Sequence, residues 1–167
     1  LKNKNILKLN GKPLIAHTIN YAKKAKIFDK IILSTESKKY AEIGKKYGAE
    51  VPFLRPIKFS SSTSPDYSWV NFTIKKLEAS GRKFTHFFIL RPTNPFRTDK
   101  VILKAWKKFQ KYNPESLRAV SICKEHPFKM WSIVNKFIKP IIKKKTLKQP
   151  AFNCQYQSLS KIYTQNA

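Results

Sequence analysis

A chain of 167 residues is about one domain long, and its 41% hydrophobic content, with 12 Phe, 7 Tyr and 3 Trp, excludes wholesale disorder. Two cysteines, Cys123 and Cys154, exclude a disulfide framework or a Cys-rich zinc site, and no apolar run is long enough to span a bilayer. Lys plus Arg outnumber Asp plus Glu by 35 to 9, a formal charge of +26 that attracts polyanions.

In chain order the pattern alternates helices and strands. Pro13 to about Lys26 reads as a helix with Ile15, Ile19 and Ala22 on one face and Pro13 in its first turn. The β-branched run Ile31 to Thr35 reads as a buried strand. Tyr40 to Tyr47 fits helical spacing, with Gly48 at the C-terminal cap, and Val51 to Leu54 is a further short strand. A Ser/Thr loop follows, then Ser64 as N-cap, Pro65 in the first turn and Asp66 complementing the dipole of a helix that runs to Ser80. Its apolar face is Val70, Ile74 and Leu77, and Gly81 ends it. Phe84 to Leu90 carries the strongest strand signal, and two prolines then break regular structure between Arg91 and Arg97. Thr98 caps a helix with the face Ile102, Ala105, Trp106 and Phe109, and Ala119 to Cys123 is the last strand of this series.

Strands separated by helices imply crossover connections, hence an α/β fold with a mainly parallel sheet covered by helices on both faces. From Lys124 the texture changes: Pro127, Pro140, Pro150 and the run Lys143 to Lys145 suggest hairpins or an arm outside the sheet. No signal-peptide-like segment opens the chain, so a cytoplasmic location is expected. The chain starts at Leu1, not Met, and stops at Ala167 in mid-pattern, so truncation at both ends is also expected.

The charge is a weak guide to partners. It consists of 30 Lys against 5 Arg, whereas base-edge readers favour the arginine fork, and the lysines spread over outer helix faces. A basic nucleic-acid-binding domain stays open as a rival, but solvated lysines on a soluble fold account for the same numbers. His126 reads first as a structural or substrate-orienting residue, His17 and His86 as packing or surface positions, and Trp69 and Trp106 as core-facing.

In an open α/β sheet, ligands bind beyond the carboxyl ends of the strands. Three polar clusters fall there: Lys2 to Asn5, Arg55 with the Ser/Thr loop, and Arg91 to Arg97. Taken singly, Arg55 or Arg97 is more often a structural ion-pair partner, and the Ser/Thr loop more often a cap and turn. Together they could grip a nucleoside triphosphate.

Read in order, the clusters resemble one family. Lys4 to Ile15, Phe28 to Thr35, Tyr47 to Pro56, Leu90 to Thr98, Glu125 to Trp131 and Tyr163 to Ala167 are similar to the acylneuraminate cytidylyltransferases, the CMP-sialic acid synthetases and their relatives. The resemblance implies a Rossmann-like fold of the nucleotide-diphospho-sugar transferase type with a protruding hairpin arm for dimerisation. It places a nucleotide-binding core at 1–123, the arm at 124–160 and a return to the core at 161–167.

It also implies transfer of CMP from CTP to an acidic nine-carbon sugar, with Mg²⁺ and release of pyrophosphate. Lys4 and Arg91 are the implied catalytic residues. Lys4, Asn5, Arg55, Ser64 and Asp66 would hold the nucleotide, and Arg91, Lys129 and Asn166 the sugar. Arg91 could fork onto the sugar carboxylate. Asp66 stands where many members carry Ser, and Arg91 where many carry Gln, which suggests a different acidic sugar. Another ulosonic acid, such as 3-deoxy-manno-octulosonate, is the enzymatic alternative. The phosphate-gripping loop and the metal-binding aspartates of the family are not among these residues. The Mg²⁺ ligands are therefore expected outside the chain, which alone should have little activity.

Overall fold

The structure, a computed structural model, describes residues 3–61, 63–143, 145–146 and 149–165, and it divides into two compact units, Leu1–Glu115 and Ser116–Ala167.

The first unit opens with a 3-10 turn at Lys4–Ile6 and a small antiparallel hairpin, β1 (Lys8–Leu9) with β2 (Lys12–Pro13). Asn10 and Gly11 both take positive φ (47° and 74°), as a two-residue hairpin turn requires. Helix α1 (Leu14–Ala25) follows, with Pro13 as its N-cap, and buries Ile15, Ala16, Ile19, Ala22 and Ala25. That is the apolar stripe set by the 3.6-residue period. His17 Nε2 donates to the Leu9 carbonyl at 2.8 Å and ties the hairpin to the helix.

Helix α2 (Lys38–Lys46) is capped by Ser37, whose hydroxyl accepts from the Tyr40 N–H, and Gly48 (φ 95°) follows its C-terminal end. Helix α3 (Asp66–Ala79) has Pro65 at the N-cap, so Ser64 lies one residue before the cap. The Ser64 hydroxyl donates instead to the Lys58 carbonyl (3.3 Å) and bonds the Ser61 hydroxyl (2.7 Å). Helix α4 (Asp99–Tyr112) is capped by Thr98, buries Ile102, and packs against α1.

The parallel sheet expected from the strand signals is not what the described residues form. One parallel bridge joins Ile32 to Glu50, with Glu50 N–H donating to Ile31 O (2.8 Å) and Leu33 N–H to Glu50 O (2.9 Å). The next donor in that ladder would come from residue 52, which is proline and has no N–H, so the pairing stops there. The two segments meet again at Arg55, whose N–H donates to Thr35 O (2.8 Å). Residues 84–90, where the strand signal is strongest, form no strand among the described residues, and the chain bends at Thr85. They are held by rings: Phe88 meets Phe28 (5.0 Å) and Trp106 (5.9 Å), and His86 meets Trp106 and Phe109 (both 5.4 Å). Propensity favours extension; a ladder also needs a neighbour with free donors.

The second unit is antiparallel throughout its named strands. Strand β3 (Val120–Ile122) pairs with β8 (Tyr163–Gln165), β4 (Trp131–Val134) with β5 (Phe137–Pro140), and β6 (Lys145–Thr146) with β7 (Gln149–Pro150). The β4–β5 turn, Asn135-Lys136, has positive φ at both residues (49° and 68°). Ala151, Cys154 and His126 are buried in this unit, whereas Ile133, Phe137 and Ile138 of the β4–β5 hairpin are strongly exposed. No helix among the described residues is long and apolar enough to cross a membrane.

Candidate functional site

The residues of interest in the first unit gather around the start of α3. Arg55 lies on the loop leading to it, and that loop is pinned to the helix on both sides of the arginine. The rings of Phe53 and Phe59 meet Phe72 at 5.7 and 5.2 Å. The Arg55 guanidinium is largely buried over the indole of Trp69, 5.6 Å from the ring centroid. Its Nε donates to the Ser60 hydroxyl at 3.0 Å, and its Nη2 to the Glu36 carboxylate at 3.1 Å.

Trp69 also reaches the other way. Its Nε1–H donates to Asp66 Oδ1 at 3.0 Å, and Asp66 Oδ2 accepts from Arg91 Nη2. Arg55 and Arg91, 36 residues apart in sequence, are thus joined by one indole and one carboxylate. Arg91 and Asp66 are each about half exposed (44% and 49%), so solvent screens their pair and it adds little to stability. A ligand anion can compete for such an arginine at low cost.

The N-terminal turn approaches the same network from the other end. Tyr40 of α2 donates its hydroxyl to Asn3 Oδ1 at 3.2 Å, and its pKa is raised by burial first and by the Glu36 carboxylate second. Glu36 is the partner of Arg55. Lys4 is exposed on the 3-10 turn, and its ammonium has no hydrogen bond or ion pair among the described residues. Asn5 differs: its Oδ1 is buried and meets no donor among the described residues. An acceptor left so costs about 1–3 kcal/mol unless a ligand or water completes it.

Arg97 is half-buried, and burial lowers its pKa from the usual guanidinium value. Ser64 stands between Lys58 and the cap of α3 as described above, so its hydroxyl is engaged within its own loop. Two surface grooves contain none of these residues. One runs along α4 between Lys100, Lys104, Lys107 and Lys111, the other between α1 and β2.

In the second unit, Lys129 donates from Nζ to the carbonyls of Phe152 (2.9 Å) and Cys154. Its ammonium therefore braces a loop. His126 is buried as a cap: Nδ1 accepts from the Phe128 N–H (3.1 Å), which leaves Nε2 to donate to Ser160 O (3.2 Å). Both ring nitrogens are used, as expected of a structural histidine. Asn166 lies outside the described residues. Among the described residues no three His, Cys, Asp or Glu side chains come together in a metal-binding group. Asp66, the carboxylate nearest the arginines, already serves Trp69 and Arg91, so these residues do not build a cage for a resident cation.

Reasoning from sequence alone missed two members. Trp69 was read as core-facing, yet its three-residue spacing from Asp66 on one helix was a usable signal. Glu36, directly after the strand signal at 31–35, sits beyond a strand end, where ligand-contacting residues collect.

Comparison with known proteins bears on the whole chain. The chain is 34% identical over 110 residues to an N-acylneuraminate cytidylyltransferase of Escherichia coli, covering 66% of this chain and 25% of that protein. It is 33% identical over 109 residues to a pseudaminic acid cytidylyltransferase of Campylobacter jejuni, covering 65% and 47%. With a CMP-N,N'-diacetyllegionaminic acid synthase of Legionella pneumophila it shares 38% over 105 residues, covering 63% and 45%. The match thus spans less than half the length of each of these relatives. The family model described as cytidylyltransferase matches residues 1–165, and by that match the chain belongs to the cytidylyltransferase family.

Proposed function

We propose that the protein containing this chain transfers CMP from CTP to an acidic nine-carbon sugar of the sialic acid type. The anomeric hydroxyl oxygen attacks the α-phosphorus in line and loses its proton to solvent. The bond from that phosphorus to the bridging oxygen breaks, and pyrophosphate leaves. Such a step needs little covalent chemistry from protein; it needs alignment and neutralised charge.

The observation that carries the reading is the pair of arginines joined through Trp69, Arg55 by its ring and Arg91 by Asp66, which accepts from its N–H. Arg55 would face the cytosine end, near Ser64 and Asp66. Arg91 would take the sugar carboxylate through its other N–H groups while Asp66 keeps Nη2 and holds the fork in place. Lys4, exposed and without an ion pair among the described residues, would hold phosphate oxygens as a point charge, and the buried Oδ1 of Asn5 would accept from the ribose. Lys129 and Asn166 belong to the sugar side by resemblance, Lys129 by ordering the loop at Phe152–Cys154. Mg²⁺ would arrive on the triphosphate and neutralise its charge.

The nucleotide core over 1–123 and the arm over 124–160 follow the same resemblance. The exposed Ile133, Phe137 and Ile138 support burial of the β4–β5 hairpin in a homodimer. A cytoplasmic location, with CTP at hand, is part of the same proposal. The relatives are named for different acids, neuraminic, pseudaminic and legionaminic, so the sugar is to be found by a panel.

The complete protein is incubated with CTP, Mg²⁺ and N-acetylneuraminate, pseudaminate, N,N'-diacetyllegionaminate or 3-deoxy-manno-octulosonate in turn. One of the nine-carbon acids should yield a CMP-sugar and an equal amount of pyrophosphate. Product from 3-deoxy-manno-octulosonate alone, or from none, overturns the proposal. A salt-dependent shift with nucleic acid that CTP cannot compete away favours the binding-domain reading instead.

A further inference from the structure

We propose that Trp69 is a positioning residue that ties Arg55 on the nucleotide side to Arg91 on the sugar side through Asp66. The proposal rests on the cytidylyltransferase reading above and deepens it. A tryptophan that served packing alone would have its ring enclosed and its N–H turned to any nearby carbonyl. Trp69 does neither. It is half-buried, one face lies under a guanidinium, and its N–H is spent on the carboxylate that holds the second guanidinium.

The geometry around it is fixed from three directions. Asp66 and Trp69 are three residues apart on α3, which places them on the same side of the helix. Thr73, one turn further on, donates its hydroxyl to the Trp69 carbonyl (2.7 Å) and bonds the Ser34 hydroxyl (2.9 Å), which joins this stretch of α3 to the segment 31–35. The loop bearing Arg55 is clamped to Phe72 by Phe53 and Phe59. The indole is therefore held on α3, and it completes the alignment that Ser60 and Glu36 give Arg55 and that Asp66 gives Arg91. An arginine with its planar fork pre-oriented loses less freedom when a carboxylate or phosphate arrives.

The two contacts of the ring are separable by substitution. Trp69→Phe keeps an aromatic face beneath Arg55 and removes only the N–H to Asp66. Trp69→Leu removes both. In the complete protein, with CTP and the acidic sugar it turns over, Trp69→Phe should raise the KM for the sugar about five-fold, the scale of one lost hydrogen bond to a partly exposed carboxylate, and leave the KM for CTP within about two-fold. Trp69→Leu should raise both. Because Trp69 acts on Arg91 only through Asp66, Trp69→Phe added to Asp66→Asn should raise the sugar KM no further than Asp66→Asn alone.

A merely structural tryptophan would give a lower melting temperature with both KM values unchanged, and that result overturns the proposal. So does a Trp69→Phe effect confined to CTP, or two effects that multiply in the double variant. Absence of CMP-sugar from the unsubstituted protein with every acid tested overturns the cytidylyltransferase reading and this proposal with it. Turnover by the unsubstituted protein with an unaltered Trp69→Phe overturns this proposal only.

Discussion

Lys129→Met separates two roles for one ammonium. By resemblance Lys129 faces the sugar, whereas its Nζ donates to the carbonyls of Phe152 and Cys154, beside the buried Ala151 and Cys154 of the second unit. Methionine keeps most of the apolar stem, so the loss is the pair of charge-assisted bonds. Each is worth about 1.5–3 kcal/mol at full value. The side chain is only half-buried, and water can reach the carbonyls once the ammonium is gone, so about 2 kcal/mol for the pair is the expected cost. With a urea m-value of about 1–3 kcal/mol/M, the unfolding midpoint should fall by roughly 0.7–2 M. Trp131 reports the event, since its ring lies 5.0 Å from that of Phe152. Fluorescence and circular dichroism across a urea series, with acidic-sugar binding measured on the same preparations, complete the assay. An unchanged midpoint with lost sugar binding would refute the reasoning, because the ammonium would then act on a ligand and not on the loop.

Three further outcomes follow from the first unit. The Glu50 pKa is held below the ordinary glutamate value by hydrogen bonds from Lys30 (2.8 Å) and Arg82 (2.7 Å). Its stabilising effect is therefore present above the pKa of unfolded glutamate and is lost as pH falls through the depressed folded value; Glu50→Gln should lack that acid loss in melts from pH 7 to pH 3, and an identical profile would sink the assignment. A Cβ on Gly44 would clash with Leu33 Cδ2. Gly44→Val should therefore cost about 1–3 kcal/mol by overpacking, and Leu33→Ala in the same chain should recover more than half of it in a thermal double-mutant cycle. Thr98→Ala should cost about 0.5–1 kcal/mol, at the low end for a cap because its bond to the Val101 N–H is long at 3.4 Å; an unchanged melting temperature would show the cap to be idle.

The helices were legible because their signals are local. Ile15, Ile19 and Ala22 of α1 and Ile102 of α4 are buried as their spacing predicts, and Thr98 caps α4. The strands were less so, because pairing depends on a partner far along the chain. Ile31 to Thr35 carries a strand signal but forms only one bridge, at Ile32, because Pro52 in the partner segment ends the ladder, a consequence that inspection of either segment alone does not reveal. Asn10-Gly11 was the reverse case, a strong hairpin turn signal between strands too short to show any alternation. For the site, residue type marked Arg55 and Arg91 as candidates, but not what holds them. That role falls to Trp69 and Glu36, and a tryptophan with an apolar helical spacing gives no hint that its N–H is committed to a carboxylate.

The net charge carries its own lesson about which cations matter. The chain has 30 Lys to 5 Arg and only 9 acidic residues, so a carboxylate is the scarce partner. Glu36, Glu50 and Asp66 are paired with Arg55, Arg82 and Arg91, and Lys30 shares one of those same carboxylates. Were the +26 itself the function, the scarce acids would have no reason to fall on arginines, and lysine-lined grooves such as that on α4 would hold the organised chemistry. Instead the rare, fork-shaped cations are the ones oriented by carboxylates, hydroxyls and an indole, while the abundant point charges line open surface. Recognition of a carboxylate or phosphate in a fixed orientation needs the fork, not the sum. On the reading proposed above, specificity would rest with Arg55 and Arg91 beside the start of α3, and the overall charge would govern how strongly an anion is drawn toward them.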